Sequence, residues 1–303
     1  MTPQMSTSGA EPQAMQRSRL GSAMALGDAG VLAPGRLRPL RALGWMIALA
    51  AGVILISSLP SILGLRPIAP PARILVALLM SLVAIVAYAA TIRRFERRVP
   101  MEVAVTAMTR EGGLGLLIGL AMFAVVMLSL YAFGLYSIHA ERWTNWSLEL
   151  TSAVQTGLIE ELLLRAIIFR LLMRAFGPWP AIILSGALFG ALHLAGPHAT
   201  LVAGLAIALE AGCMLASAYL LTGRIWLPVG IHIGWNFAEG SIFSASVSGH
   251  DTGGGLFVSA PSRGAPDILT GGTFGPEGSL SSIIVGLVLF CVFMILAYRQ
   301  RSA

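Results

Sequence analysis

The sequence has no lysine and little charge of either sign. Charged residues make up 11% of its 303 residues, and all 20 basic side chains are arginines. Soluble domains contain about 25% charged residues, and hydrophobic residues here reach 56%. The composition excludes an ordinary soluble domain and predicts a protein that crosses a membrane several times. No basic patch with interleaved aromatic residues is present, so nucleic acid is not an expected partner.

Cysteine is nearly absent, and the sequence shows no soluble domain. Cys213 and Cys291 lie in apolar runs without C-x-x-C spacing, which excludes a secreted disulfide framework and predicts two buried thiols. Residues 1–42 are polar, with proline, glycine, serine and five arginines, and we expect a disordered cytoplasmic tail. Residues 43–303 are predicted to form one membrane-embedded domain, whose motif-bearing core spans 145–245.

Long hydrophobic runs are what the sequence does have. A transmembrane helix needs about 20 apolar residues, and eight runs approach that length; the fifth is short. Arginines concentrate in alternate loops, which by the positive-inside rule places both termini in the cytoplasm. The fold class is therefore all-α, a polytopic membrane bundle of about eight helices. The runs lie at 43–65, 72–92, 112–138, 147–173, 179–195, 200–222, 225–245 and 280–298.

Two adjacent acids and an arginine interrupt the fourth run. Charge inside a membrane is costly and marks a functional site by default. Glu161 and Arg165 are four residues apart and share one helix face, so they can neutralise each other. Glu160 is turned about 100° away and has leucine, not a cation, at position 164. The pattern predicts a structural acid, Glu161, beside a free acid, Glu160, suited to act as a general base.

Two further polar clusters occur in later runs. His193 ends the fifth run four residues after Phe189, and Gly186, Gly190 and Ala191 should allow a neighbouring helix to approach closely. In the seventh run His232 and Asn236 share a helix face. We expect these groups to meet Glu160 at one depth in the bilayer.

Three other features are open to more than one interpretation. Glu210 lies within the sixth run without an obvious cation, as either a second site acid or a group held neutral. Glu239, three residues after Asn236, either lines the mouth of the site or, as we expect, is an interfacial acid near the helix end. The glycine-rich segment 246–279 argues against regular structure and is either a flexible connector or a lid over the site.

Together the motifs resemble those of a known family. Glu160–Arg165 match E-E-x-x-x-R, Phe189–His193 match F-x-x-x-H, and His232–Asn236 match H-x-x-x-N. This pattern, on separate helices in this order, is similar to the CPBP group of intramembrane proteases (CAAX proteases and bacteriocin-processing enzymes, or Abi family). The resemblance covers roughly residues 145–245.

The resemblance implies an endopeptidase that cleaves a membrane-associated or lipidated peptide, as a multi-pass protein of a bacterial cell membrane. It implies that Glu160 and His193 activate a water while His232 and Asn236 stabilise the oxyanion. Glu161, Arg165 and Phe189 would support the site. No cofactor is certain; Glu160, His193 and His232 could instead bind Zn²⁺, and a metal-free mechanism is favoured because H-E-x-x-H is absent. The alternative from another class is a non-catalytic scaffold or a proton-coupled transporter that uses the intramembrane carboxylates.

Overall fold

A computed structural model describes residues 20–64 and 70–300. The chain is almost entirely helical, which confirms the predicted all-α membrane bundle. Among the described residues, four helices continue directly into a π-helical segment, and two of these resume as α-helix afterwards. The α-helices are α1 (Arg38–Ile62), α2 (Pro70–Thr91), α3 (Met108–Ala132), α4 (Trp146–Glu161), α5 (Arg170–Phe176), α6 (Pro178–His193), α7 (Leu201–Ile207), α8 (Met214–Thr222), α9 (Trp226–Phe237), α10 (Asp267–Thr270) and α11 (Leu280–Arg299). The π segments are Ile92–Glu96, Leu162–Phe169, Ala208–Cys213 and Ala238–Ile242, and short 3₁₀ turns lie at Gly30–Leu32, Met101–Val103, Val105–Ala107 and Pro276–Gly278.

Within the described residues, five helical stretches are long and apolar enough to cross a membrane. Their outer faces carry exposed side chains such as Leu75 and Leu117, as expected for a surface in contact with lipid. The other three predicted spans coincide with helices that carry the polar motifs, namely 146–176, α6 and 226–242. The five stretches are Arg38–Ile62, Ala72–Glu96, Met101–Ala132, Leu201–Thr222 and Leu280–Arg299.

A small cap closes one end of the bundle. It consists of strand β1 (Tyr136–Ala140), strand β2 (Phe257–Pro261) and the rest of residues 244–279. The strands are antiparallel, with Tyr136 opposite Pro261 and Ala140 opposite Phe257. The glycine content of this segment argued against regular structure, and that expectation was wrong: its glycines occupy turns, while the intervening residues form β2 and α10.

Two other sequence expectations are corrected by the packing. The part of the predicted disordered tail that the structure describes is packed, with the side chains of Leu20 and Leu32 only 2% and 0% exposed. The carbonyl of Gly27 also accepts a hydrogen bond from Arg174. Apolar residues scattered among polar ones gave no periodic signal for this packing. Residues 1–19 lie outside the described range. Cys291 is exposed on α11, not buried as predicted.

The helix that carries His232 is held by direct backbone contact with α3. A Cβ at Gly234 would overlap the carbonyl oxygen of Leu116, and one at Gly230 would overlap that of Gly112. Glycines on the α3 side, Gly115 and Gly119, are equally crowded by the α9 backbone. Helices that meet through small residues approach more closely than side chains allow, so the position of α9 is fixed independently of side-chain rotamers.

Helix α6 approaches its neighbours in the same way. A Cβ at Gly190 would overlap the carbonyl oxygen of Gly204, and one at Gly186 would lie 2.9 Å from the sulfur of Cys213. Both predicted close contacts are therefore present. Ala191, which was expected to share in them, is exposed, because it lies on the opposite side of the helix.

Candidate active site

The two adjacent acids lie where α4 changes its winding. Glu160 and Glu161 are the last residues of α4, and the π segment Leu162–Phe169 follows at once. Glu210 and Glu239 lie inside the π segments Ala208–Cys213 and Ala238–Ile242. π segments alter the direction of side chains relative to an α-helix and occur frequently at functional sites. Sequence periodicity did not indicate any of them.

Glu161 contacts two basic side chains that come from different helices. Its Oε2 accepts a hydrogen bond from Arg165 Nε at 2.8 Å, as the spacing of four residues predicted. Its Oε1 lies 3.1 Å from His232 Nδ1 on α9. All three side chains are buried, and Glu161 and Arg165 are fully so. The acid predicted to be structural therefore also positions a histidine, a role that the sequence did not reveal.

The hydrogen bond to Glu161 fixes how the His232 ring is protonated. A carboxylate can only accept, so Nδ1 carries the proton. The second ring nitrogen, Nε2, faces Glu160 and lies 4.0 Å from its Oε2 atom. For Nε2 to donate a hydrogen bond, His232 must carry both protons as an imidazolium, with two carboxylates beside it.

Phe189 connects the arginine with the second histidine. The guanidinium of Arg165 lies 5.2 Å from the centre of the Phe189 ring, within cation–π range. The Phe189 carbonyl accepts a hydrogen bond from His193 Nδ1 at 2.8 Å. The Phe189 ring also contacts both imidazoles, with centroids 4.8 Å from His193 and 6.1 Å from His232. The spacing F-x-x-x-H thus places Phe189 against the Glu161–Arg165 ion pair, one helical turn before His193. The hydrogen bond to the Phe189 carbonyl puts the His193 proton on Nδ1.

Of the two adjacent acids, Glu160 is the one without an arginine partner. Its Oε2 has no hydrogen-bond partner among the described residues, and its side chain is 31% exposed. The exposure is to a cleft, because Glu160 lines it together with His193, His232 and Asn236. The predicted meeting of these four side chains is present. The roles assigned to them stay predictions.

The cleft has a volume of about 660 Å³ and lies between α4, α6, α9 and the cap. Its helix side combines leucines with polar groups, and its cap side is mostly polar. Glu149 and Ser152 add polar groups from the first half of α4. The apolar lining includes Leu148, Leu163, Leu164 and Leu192, and the cap contributes Val247, Ser248, His250, Asp251 and Thr252.

A separate cavity of about 30 Å³ lies behind the two histidines. His193, His232 and Asn236 line it together with Glu210 and Glu277. Glu210, for which the sequence left two interpretations, is buried and lines this cavity. Glu277 was not singled out at all, since it lies in a glycine-rich stretch with no helical pattern.

Two further acids, Glu277 and Glu239, are also buried. Glu277 accepts a hydrogen bond from the backbone N–H of Ser248. Burial raises the pKa of the Glu277 carboxyl above its usual value, although positive charge on His193 and the Ser248 hydrogen bond act against the shift. Glu239 was expected at the membrane interface, and this was wrong: it is 0% exposed. The π segment that carries it turns its side chain into the bundle.

The proposed zinc ligands do not assemble as a metal site. Among residues 20–64 and 70–300, no group of three His, Cys, Asp or Glu side chains is arranged to hold a metal ion. Both histidines use Nδ1 for protein contacts, which leaves Nε2 of each ring free of them, and Glu160 Oε2 lies 4.0 Å from His232 Nε2. The zinc centre considered from the sequence stays a prediction.

The fold and the site define a class, that of helical membrane proteins with an acid–histidine cleft enclosed in the bundle. Residues 141–238 match the family model described as "Type II CAAX prenyl endopeptidase Rce1-like". The match supports the CPBP/CAAX intramembrane protease family and confirms the resemblance predicted from the three motifs. The model covers about a third of the chain, and the activity that it describes is that of an endopeptidase. Neither a curated protein nor a solved structure matches the chain.

Proposed function

We propose that this protein is an intramembrane endopeptidase that hydrolyses a peptide bond near the lipid anchor of a prenylated peptide. The observation that carries the proposal is the Glu160 carboxylate, which is free of any arginine, open to a 660 Å³ cleft and 4.0 Å from His232 Nε2. A carboxylate of this kind can remove a proton from water. The leucines of the cleft wall provide an apolar surface for the prenyl chain.

Glu160 and His193 would activate the attacking water. His193 donates Nδ1–H to the Phe189 carbonyl, so its Nε2 has a lone pair that can accept a hydrogen bond from that water. Glu160 accepts the proton as the hydroxide adds to the carbonyl carbon, and then returns it to the leaving amine. General-base catalysis by a positioned side chain contributes about 10²–10⁴-fold.

His232 and Asn236 would stabilise the negative charge that develops on the carbonyl oxygen. They lie one turn apart on α9 and both line the cleft. The imidazolium form of His232 donates through Nε2 while Glu161 holds Nδ1. Loss of one preorganised donor costs about 10²–10³-fold in kcat.

The test is cleavage of a prenylated C-terminal peptide by the purified protein in liposomes. Glu160→Gln and His193→Ala are expected to abolish cleavage while the proteins elute as folded species. Glu141→Gln, an exposed acid at the same end of the bundle, is the matched control and should retain wild-type activity. An unprenylated peptide of the same sequence should be a poor substrate. Full activity of Glu160→Gln would overturn the proposal.

The same assay can address the metal question. Because the described residues form no three-ligand set, cleavage is expected to persist after dialysis against EDTA. Activity that is lost on dialysis and restored by Zn²⁺ alone would show that substrate or another part of the chain completes a metal centre.

We further propose that the arginine-rich loops face the cytoplasm and that the cap lies on the other side. Reporter fusions at residue 300 and within the cap should then report opposite sides of the membrane.

A further inference from the structure

Three carboxyl groups lie behind the histidine pair, and the proposed reaction does not use them. Glu210, Glu239 and Glu277 are 1%, 0% and 3% exposed. They come from the π segment before α8, the π segment after α9, and the 3₁₀ turn Pro276–Gly278. Each is close enough to Glu277 or Glu210 for the charges to interact. A buried acid without a cation is costly, so packing alone does not explain three of them.

The cavity of about 30 Å³ connects this cluster to the catalytic groups. Glu210 and Glu277 line one side, and His193, His232 and Asn236 line the other. One water needs at least about 10–15 Å³ and two to four polar partners, and both conditions are met here. Glu210 supplies an independent sign of a ligand, because its Oε1 is buried and has no hydrogen-bond partner within the described residues.

Glu277 is the member of the cluster best placed to act on the histidines. The backbone N–H of Ser248 holds one carboxylate oxygen, and Ser248 itself lines both the cavity and the cleft. The charge of Glu277 interacts with those of His193 and His232. A glutamine could accept the same hydrogen bond from Ser248 without the cost of a buried acid, so that bond does not account for the carboxyl.

The histidines face charged groups from every element packed around them. The net field at the two rings therefore depends on several acids and one arginine. These groups are Glu160, Glu161 and Arg165 from the α4 stretch, Glu210 from the α7–α8 stretch and Glu277 from the cap, while Glu239 after α9 interacts with Glu277 and Glu210.

We propose that Glu277 is a positioning residue for the reaction: through one water that it shares with Glu210 in the cavity, it stabilises positive charge on His232. The inference rests on the proposed function and assigns the cap a part in it. As the oxyanion forms, the imidazolium of His232 must stay protonated although its side chain is buried. A carboxylate on the far side of the rings lowers the free energy of the charged imidazolium, because charges interact more strongly at low dielectric constant.

The test compares Glu277→Gln with wild type in the liposome cleavage assay across pH. The substitution keeps the acceptor for the Ser248 N–H and removes the charge. We expect kcat to fall by about tenfold or more with KM nearly unchanged, since the carboxyl does not touch substrate. The limb of the kcat/KM profile set by a histidine should move to lower pH, because an imidazolium without a nearby carboxylate loses its proton more readily.

Glu210→Gln is the second variant, and its profile should move in the same direction. The matched control is Glu141→Gln, which removes an exposed acid and should leave the profile unchanged. If Glu277→Gln does not yield a folded protein, the pH profile of Glu210→Gln decides the outcome. A lower kcat with the wild-type pH profile would indicate a merely structural role and overturn the inference.

The two proposals can fail separately. If Glu160→Gln retains cleavage, the proposed function itself is wrong. If Glu160→Gln is inactive but both cavity variants show the wild-type profile, only the role of the carboxyl cluster is wrong.

Discussion

Glu161 Oε1 lies 3.1 Å from His232 Nδ1, while the other oxygen of the same carboxylate is bound 2.8 Å from Arg165 Nε. One buried acid thus holds both a structural cation and a histidine of the site. Its neighbour Glu160 faces the same imidazole from the cleft side at 4.0 Å. Two consecutive residues of the same type therefore have separate tasks, and substitution should distinguish them.

Glu161→Ala should prevent stable folding, whereas Glu160→Ala should not. The first change leaves the Arg165 guanidinium fully buried without its partner, and breaking a buried pair costs about 3–5 kcal/mol. The second removes a carboxylate that has no cation. Thermal unfolding in detergent, followed by size-exclusion chromatography, measures the difference. Equal melting temperatures for the two variants would contradict the division of roles.

Gly234→Ala should displace α9 and with it the histidine and asparagine. The added methyl group would overlap the carbonyl oxygen of Leu116, and overpacking costs about 1–3 kcal/mol. We expect a lower melting temperature and a larger loss of cleavage than the stability change alone explains. Gly113→Ala on α3 is the control. It meets no atom within 4 Å, and alanine stabilises a helix by about 0.5–1 kcal/mol relative to glycine.

Gly249→Ala should disturb the part of the cap that lines the cleft. Gly249 has φ +81°, and a Cβ there would overlap the carbonyl oxygen of Pro197. A left-handed conformation at alanine costs about 1–3 kcal/mol, so residues 247–252 should move away from the cleft. We expect KM for the prenylated peptide to rise while the helical bundle stays folded by circular dichroism. Gly253→Ala, in the same loop and without neighbours within 4 Å, should behave as wild type.

Stability should fall as pH rises because of Glu277. Burial raises the pKa of this carboxyl in the folded protein, so the folded state binds the proton more tightly than the unfolded state. Its contribution is complete below the unfolded pKa of about 4.3 and is lost as pH rises through the higher folded value. The melting temperature of Glu277→Gln should therefore decline less between acid and neutral pH than that of wild type. Parallel curves for the two proteins would contradict the shift.

The sequence revealed local relationships and missed those that depend on winding or on distant segments. The Glu161–Arg165 pair follows from a spacing of four residues, and the close approach at Gly190 follows from the lack of a side chain. The bond from Glu161 to His232 joins residues 71 positions apart, so no local pattern could show it. Glu239 was misplaced because the π segment around it breaks the helical period. Glu277 escaped notice because its partner is a backbone N–H, which leaves no trace in residue type.

The direct backbone contact between α3 and α9 limits how this protein can change its substrate. Four glycines bring the two backbones into contact, so any larger side chain at those positions would force the helices apart, and the histidine–asparagine wall of the cleft is held in place. Adaptation to a new peptide should therefore come from the other walls, formed by the polar loop of the cap and by Leu148, Leu163, Leu164 and Leu192. A chimera that takes only residues 244–275 from a protein with the same three motifs, and so keeps Glu277, should transfer substrate preference and leave the chemistry of hydrolysis unchanged.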